Sequence, residues 1–129
     1  MSVSILVVDD EPDVALLFRQ QFRREIRDGT YVMHIADSGE MALDQLSCGI
    51  EPTLIVILSD INMPGMDGLT LLGEIKKRFP DMPVMMVTAY GDDERRQRAT
   101  SLGALDFLAK PVDFGALKAQ LRQLPGAAD

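Results

Sequence analysis

A single cysteine, Cys48, leaves no partner for an internal disulfide, which fits a reducing compartment and leads us to expect a cytoplasmic protein. No apolar run approaches the roughly 20 residues needed to span a bilayer, and the first residues carry no signal-peptide pattern. No membrane association is therefore expected. Positive charge is also in short supply. Lys and Arg number 13 against 20 Asp and Glu, a net charge of −7, which argues against nucleic-acid binding by this domain. The glycine fingerprints of Rossmann and P-loop nucleotide sites are missing, as are internal repeats and low-complexity tracts. The only histidine, His34, lies in an alternating strand pattern and reads as a structural residue.

What is present is the composition of one globular domain: 129 residues, 47 % hydrophobic and 26 % charged. Strand and helix patterns alternate five times. Ser4 to Val8 reads as a strand, followed by a helix that Pro12 opens and Asp28-Gly29 stops, with Val14, Leu17, Phe18, Phe22 and Ile26 at helical spacing. Tyr31 to Ala36 is the second strand, and Ser38 caps a second helix that ends at Cys48-Gly49. Leu54 to Leu58 is an unbroken apolar run, the mark of a strand buried on both faces. After Gly68 the pattern turns helical through Leu69, Leu72 and Ile75 and continues to Lys76-Lys77-Arg78, where Pro80 terminates it. Val84 to Thr88 is the fourth strand, Asp92-Asp93-Glu94 opens the fourth helix and Gly103 closes it. Leu105 to Leu108 is the fifth strand. The fifth helix runs from about Asp113 to Leu124, ahead of Pro125-Gly126. This alternation predicts an α/β fold, a parallel sheet with helices on both faces.

In a parallel sheet all strand ends of one kind share one edge. Four such ends carry chemistry: Asp9 and Asp10, Asp60, Thr88 and Lys110. Like charges about 4 Å apart repel by roughly 4 kcal/mol at an effective dielectric near 20. Three converging carboxylates must therefore raise a pKa or hold a cation, and hard oxygens with room for water suit Mg²⁺. Taken singly, each of these residues has a plain explanation. Asp9-Asp10 can start a helix, Lys110 can be a surface lysine, and Thr88 can be a β-branched strand residue. Their joint placement is what points to a site.

After the central strand comes Asp60-Ile61-Asn62-Met63-Pro64-Gly65-Met66-Asp67-Gly68. This stretch resembles the phosphorylation loop of bacterial two-component response regulator receiver domains, the chemotaxis receiver among them, and the resemblance extends from Leu6 to about Leu124. It implies a flavodoxin-like doubly wound (βα)5 three-layer sandwich with a five-stranded sheet in the order 2-1-3-4-5. That order comes from the resemblance and not from the spacing. It implies a receiver over residues 1–124, with 125–129 a tail or the start of a linker to an effector. By position, Asp60 resembles the phosphoacceptor that becomes an aspartyl phosphate. Asp10 resembles the direct Mg²⁺ ligand, Asp9 its neighbour acting through water, and Asn62 the ligand acting through its backbone carbonyl. Thr88 and Lys110 match the groups that bind the phosphoryl oxygens, and Thr88 with Phe107 matches the switch pair. A sensor histidine kinase or histidine phosphotransfer protein is the implied donor. No metabolite is turned over; the chain only accepts and slowly releases a phosphoryl group.

The same resemblance implies that the fourth helix, fifth strand and fifth helix form the output surface. Arg95, Arg96 and Arg98 would meet Asp113, Lys118 and Arg122 there, a charged face suited to a homodimer or effector. The first helix and the Thr70-Leu71-Leu72 run are similar to receivers fused ahead of nucleotide cyclase or serine phosphatase domains. Arg19, Arg23 and Arg27, at four-residue spacing with Arg24 adjacent, read as a solvated helix face. Met82, Met85 and Met86 read as strand and core filler. An aspartyl phosphatase of the haloacid-dehalogenase type is disfavoured, because it needs Asp where Asn62 stands and a cap domain for which there is no room. A binding module independent of phosphorylation is disfavoured because every expected group is present.

Overall fold

Each apolar stretch forms a strand: β1 (Val3–Val8), β2 (Tyr31–Ala36), β3 (Leu54–Asp60), β4 (Val84–Thr88) and β5 (Asp106–Ala109). The computed structural model describes residues 2–88 and 93–124. The Ala89-Tyr90-Gly91 turn, the opening of the fourth helix at Asp92 and the tail at 125–129 lie outside the described residues. The strands pair in parallel in the order β2-β1-β3-β4-β5, the doubly wound arrangement expected. Leu6 sits level with His34 on one side and Ile57 on the other, so β1 and β3 form the buried centre and β2 is an edge.

The helices are α1 (Pro12–Gln21), α2 (Arg23–Arg27), α3 (Gly39–Cys48), α4 (Gly68–Arg78), α5 (Asp93–Ser101) and α6 (Phe114–Arg122). Successive strand side chains point to opposite faces, and the core divides accordingly. Leu6, Val8, Ile57 and Met86 pack with Leu43, Leu72, Ile75 and Ala99 beneath α3, α4 and α5. Ile5, Val7, Leu58 and Val87 pack with Phe18, Phe22, Leu117 and Leu121 beneath α1 and α6. Among the described residues no helix is long and apolar enough to cross a membrane. Short polar side chains set the helix starts: Ser38, Asp67 and Asp113 accept backbone N–H bonds from Met41, Thr70 and Ala116 at 3.1, 2.8 and 3.1 Å.

Several boundaries differ from the sequence reading. The single helix expected from Pro12 to Asp28 is broken at Phe22, whose backbone (φ −101°, ψ 14°) leaves the helical range. The break accompanies complete burial of the Phe22 ring. That ring stacks on Phe18 at 6.4 Å and meets Tyr31 and Phe114 edge-on at 6.0 and 6.3 Å. β3 does not stop at Leu58; Ser59 and Asp60 remain paired with Met86 and Val87 of β4. β5 is displaced one residue, to Asp106–Ala109, and α6 ends at Arg122. Lys118 does not join the surface around α5. It donates to the Gln21 carbonyl at 2.7 Å, pairs with Glu25 at 3.0 Å and sits 5.1 Å from the Phe22 ring centre. The amphipathic period of α6 puts that position against the first helix pair.

α4 starts directly under the end of β3. Gly68 donates to the Ile61 carbonyl at 2.8 Å, and a Cβ built there would stand 2.1 Å from the Asp60 carbonyl oxygen and 2.7 Å from Ile61 Cα. Both obstacles are backbone atoms, which cannot swing aside. Overpacking of this kind costs about 1–3 kcal/mol, more than the ~1 kcal/mol at most that Ala gains over Gly in helix propensity. Gly68→Ala should therefore lower stability in urea denaturation. A midpoint equal to or above that of the native chain would contradict the close approach.

Candidate functional site

Because the sheet is parallel, the ends of β1, β3, β4 and β5 deliver their side chains to one edge. Asp60 is the last residue of β3 and only 3 % exposed. Asp9 follows β1 and is 4 % exposed, while Asp10 is half-buried. The Lys110 ammonium reaches in from just beyond β5, 3.2 Å from Asp60 Oδ2 and 3.9 Å from Asp9 Oδ2. Its own amide donates to the Thr88 carbonyl at 3.0 Å, so β4 fixes where the lysine starts. Thr88 ends β4 and is buried at the same edge. The Lys110–Pro111 peptide is cis.

Two backbone amides orient the carboxylates. The Glu11 N–H donates to Asp9 Oδ1 at 2.9 Å and the Asn62 N–H donates to Asp60 Oδ1 at 3.2 Å. Asn62 keeps its side chain exposed, so its contribution to the site is its main chain. Carboxylate oxygens of Asp9, Asp10, Glu11 and Asp60 all lie within 4.8 Å of one another. Glu11 is the member that sequence reading missed. Its side chain forms no cap bond on α1, and the available signal was its adjacency to the Asp9-Asp10 pair.

The donors are all hard oxygens, and the one lysine among them cannot balance four carboxylates. That is the chemistry of a divalent-cation site, and the residues fit Mg²⁺. An apolar-walled cavity of about 160 Å³, lined by Leu17, Phe18 and Phe114 among others, adjoins Asp9, Asp60 and Lys110. Burial in this setting pushes the Asp9 carboxyl above its ordinary 3.8, with the Asp60 charge adding and the Glu11 amide and Lys110 opposing. Lys110 loses solvent too, which would lower its pKa, but Asp60 and Asp9 outweigh this and raise it above 10.5.

Phe107 lies away from the acidic cluster. It is half-buried, level with Met86 and packed against the α3–α5 core, with Arg96 Cζ 5.0 Å from its ring centre. His34 accepts or donates a bond at 3.0 Å to Ser4 Oγ across the strand pair, a structural contact. Met85 and Met86 are core residues. Arg19, Arg23, Arg24 and Arg27 are exposed.

Four carboxylates and a lysine gathered on the carboxyl edge of a 2-1-3-4-5 sheet form a cation-binding edge on a doubly wound fold. The family model described as "Response regulator receiver domain" matches residues 5–122. The chain is 38 % identical over 134 residues to the response regulator protein FleR of Pseudomonas aeruginosa, covering 100 % of this chain and 27 % of that protein. It is 37 % identical over 122 residues to the transcriptional regulatory protein ZraR of Escherichia coli, covering 95 % and 26 %. Among solved structures it is similar to the response regulator TrrA of Thermotoga maritima in complex with Mg²⁺–BeF. That match has a TM-score of 0.78 and 31 % identity, covering 94 % of this chain and 97 % of that one. The chain belongs to the response regulator receiver domain family and is the receiver domain of a two-component response regulator. It spans about a quarter of the length of the curated relatives it matches.

The raised pKa of Asp9 has a signed consequence for stability. The folded state holds the Asp9 proton more tightly than the unfolded chain, so stability falls as pH rises through the folded pKa. Asp9→Asn keeps an acceptor for the Glu11 amide and removes the charge. In metal-free buffer it should raise the denaturation midpoint at pH 7, and the gain should vanish below pH 3.8. A gain that persists unchanged in acid would show that ionisation is not its source.

Proposed function

We propose that this domain is a phosphorylation-dependent switch in which Asp60 accepts a phosphoryl group from a phosphohistidine on a sensor kinase or histidine phosphotransfer protein. One observation carries the reading. A carboxylate buried to 3 % exposure at the end of the central strand has an ammonium at 3.2 Å and three further carboxylates around it. The Asp60 carboxylate forms the new phosphorus–oxygen bond as the phosphorus–nitrogen bond of the donor breaks, and the donor imidazole leaves. A carboxylate is a weak nucleophile, so the protein's part is alignment and neutralisation of charge on the transferred oxygens. Lys110 and the Thr88 hydroxyl supply that neutralisation, and the Asn62 amide holds the Asp60 carboxylate in place. Mg²⁺, when bound, neutralises phosphoryl oxygens; Asp10, Asp60 and the Asn62 carbonyl would hold it, with Asp9 acting through water. The domain releases the group by its own slow hydrolysis and turns over no metabolite.

The readout runs through Thr88 and Phe107 to the surface of α5, β5 and α6, which serves a homodimer or an effector. That relatives of nearly four times the length include a transcriptional regulatory protein favours a transcriptional output over the cyclase or phosphatase suggested by the first helix. Any contact with DNA then belongs to another domain, in keeping with the net charge of −7 here. The reading places the chain in the cytoplasm, where such donors reside.

Incubation with a small acyl phosphate and Mg²⁺ should add one acid- and base-labile phosphoryl group, read by intact mass. Asp60→Asn should abolish it. Asp10→Ala should bind Mg²⁺ at least roughly tenfold more weakly, as loss of a first ligand implies. Undiminished labelling of Asp60→Asn would sink the assignment.

A further inference from the structure

The loop joining β3 to α4 carries Asn62, and its outer half has little of its own to hold it. Pro64 and Gly65 are exposed, and Gly65 has a left-handed backbone at φ +73°. The loop's inner half is held by Met63, buried in the core beside Asn62; the outer half is anchored by Met66. Its side chain lies over Gly39, the first residue of α3. A Cβ built on Gly39 would stand 2.6 Å from Met66 Sδ, 3.0 Å from Cγ and 3.2 Å from Cβ. Gly39 is buried and has no positive φ, so its backbone does not require glycine; the space does. Met66 also packs against the core cluster that includes Ala42 and Leu43 of α3.

Both ends of this contact are fixed. Ser38 caps α3 through the Met41 amide at 3.1 Å, and Asp67, next to Met66, caps α4 through the Thr70 amide at 2.8 Å. Between them, a thioether seated in a side-chain-free hollow spans from one helix start to the other. Four residues back along the same short loop stands Asn62, whose amide is 3.2 Å from Asp60 Oδ1. Asn62 and Met66 share one short loop, closed at its ends by the 2.8 Å bond from the Gly68 amide to the Ile61 carbonyl. We propose that Gly39 and Met66 are positioning residues: a knob and its hole that hold the loop so that the Asn62 backbone stays in register with Asp60 for metal binding. This rests on the proposed function and names residues that its chemistry does not touch.

A Cβ at position 39 would meet Met66 Sδ and Cγ, which can swing aside, and Met66 Cβ at 3.2 Å, which yields only by a small shift of the loop backbone. Gly39→Ala should therefore evict the thioether and displace the loop without unfolding α3. Alanine is also the better helix former. The urea midpoint should therefore hold or rise, while affinity for Mg²⁺, titrated alone, falls roughly tenfold, as disturbed support of a metal ligand does. The Asn62 amide resonance should move in the same protein. Met66→Ala should weaken Mg²⁺ binding similarly, and Met66→Leu, which refills the hole, should restore most of it. Added to Met66→Ala, Gly39→Ala should cost nothing further, since its methyl enters vacated space.

Unchanged Mg²⁺ affinity and an unmoved Asn62 amide in Gly39→Ala would overturn the proposal. So would two independent losses that add in the double variant, or affinity losses that merely track loss of fold stability across the series. Should Gly39→Ala fail to fold, the Met66→Ala and Met66→Leu pair decides by the same readouts. Wild-type protein that neither binds Mg²⁺ nor accepts a phosphoryl group would instead overturn the proposed function, independently of the latch.

Discussion

Two carboxylates, Asp9 and Asp60, are almost fully buried beside each other with one ammonium between them. Removing such groups from water is costly, and one lysine repays that cost only in part. The molecule sustains the arrangement because its two cores lie elsewhere, on the faces of the sheet, and the charges are gathered at its edge. Stability comes from fully buried side chains such as Phe18, Phe22, Ile57 and Leu72, each contributing about 1.5–3 kcal/mol by its removal from water. The acidic edge draws on that reserve. A cation that enters it therefore binds to a protein already under electrostatic tension, and relief of that tension adds to the binding.

Backbone, more than side chains, fixes the geometry of this edge. The Glu11 and Asn62 amides orient Asp9 and Asp60, and the Thr88 carbonyl holds the Lys110 amide. The Thr88–Lys110 bond extends the β4–β5 pairing, while the Glu11 and Asn62 amides belong to the turns that follow β1 and β3. Gly68 completes the arrangement by letting α4 begin in contact with the Asp60 carbonyl. The acidic site and the start of the helix are thus in direct backbone contact.

The fold was legible because period and punctuation agreed. The apolar run at Leu54–Leu58, the cap at Ser38 and the stops at Gly29, Gly49 and Gly103 all meant locally what they mean in the structure. The gathering of Asp9, Asp10, Asp60 and Lys110 followed from strand ends alone, whereas the roles given to them came from resemblance. What escaped was tertiary. Nothing in the helical period around Phe22 announces a break, which accompanies contacts of its ring with Tyr31 of β2 and Phe114 of α6. Lys118 reads as a surface cation until α6 is docked and its amine finds Glu25. Glu11 looked like a helix-start acid because a helix does start there. The fit of Met66 over Gly39 joins residues 27 positions apart, which no local pattern encodes.

The same sheet that gathers the charges separates chemistry from readout. Phe107 stands beside Met86 on the flank of β5, out of reach of the carboxylates, and its ring is covered by Arg96. Under the proposed function, a movement of Thr88 toward a phosphorylated Asp60 opens space into which that ring can turn. Lacking a hydroxyl, the ring loses no hydrogen bond on burial. It does give up the guanidinium above it, a contact worth about 0.5–1 kcal/mol at an exposed site. The opposing terms are therefore small and of similar size: a weak cation–π contact holds the ring out, and modest apolar burial draws it in. A switch balanced this closely needs only a small bias from the phosphoryl group. Under that function the Arg96 contact biases the unphosphorylated ring outward by about that small amount and no more.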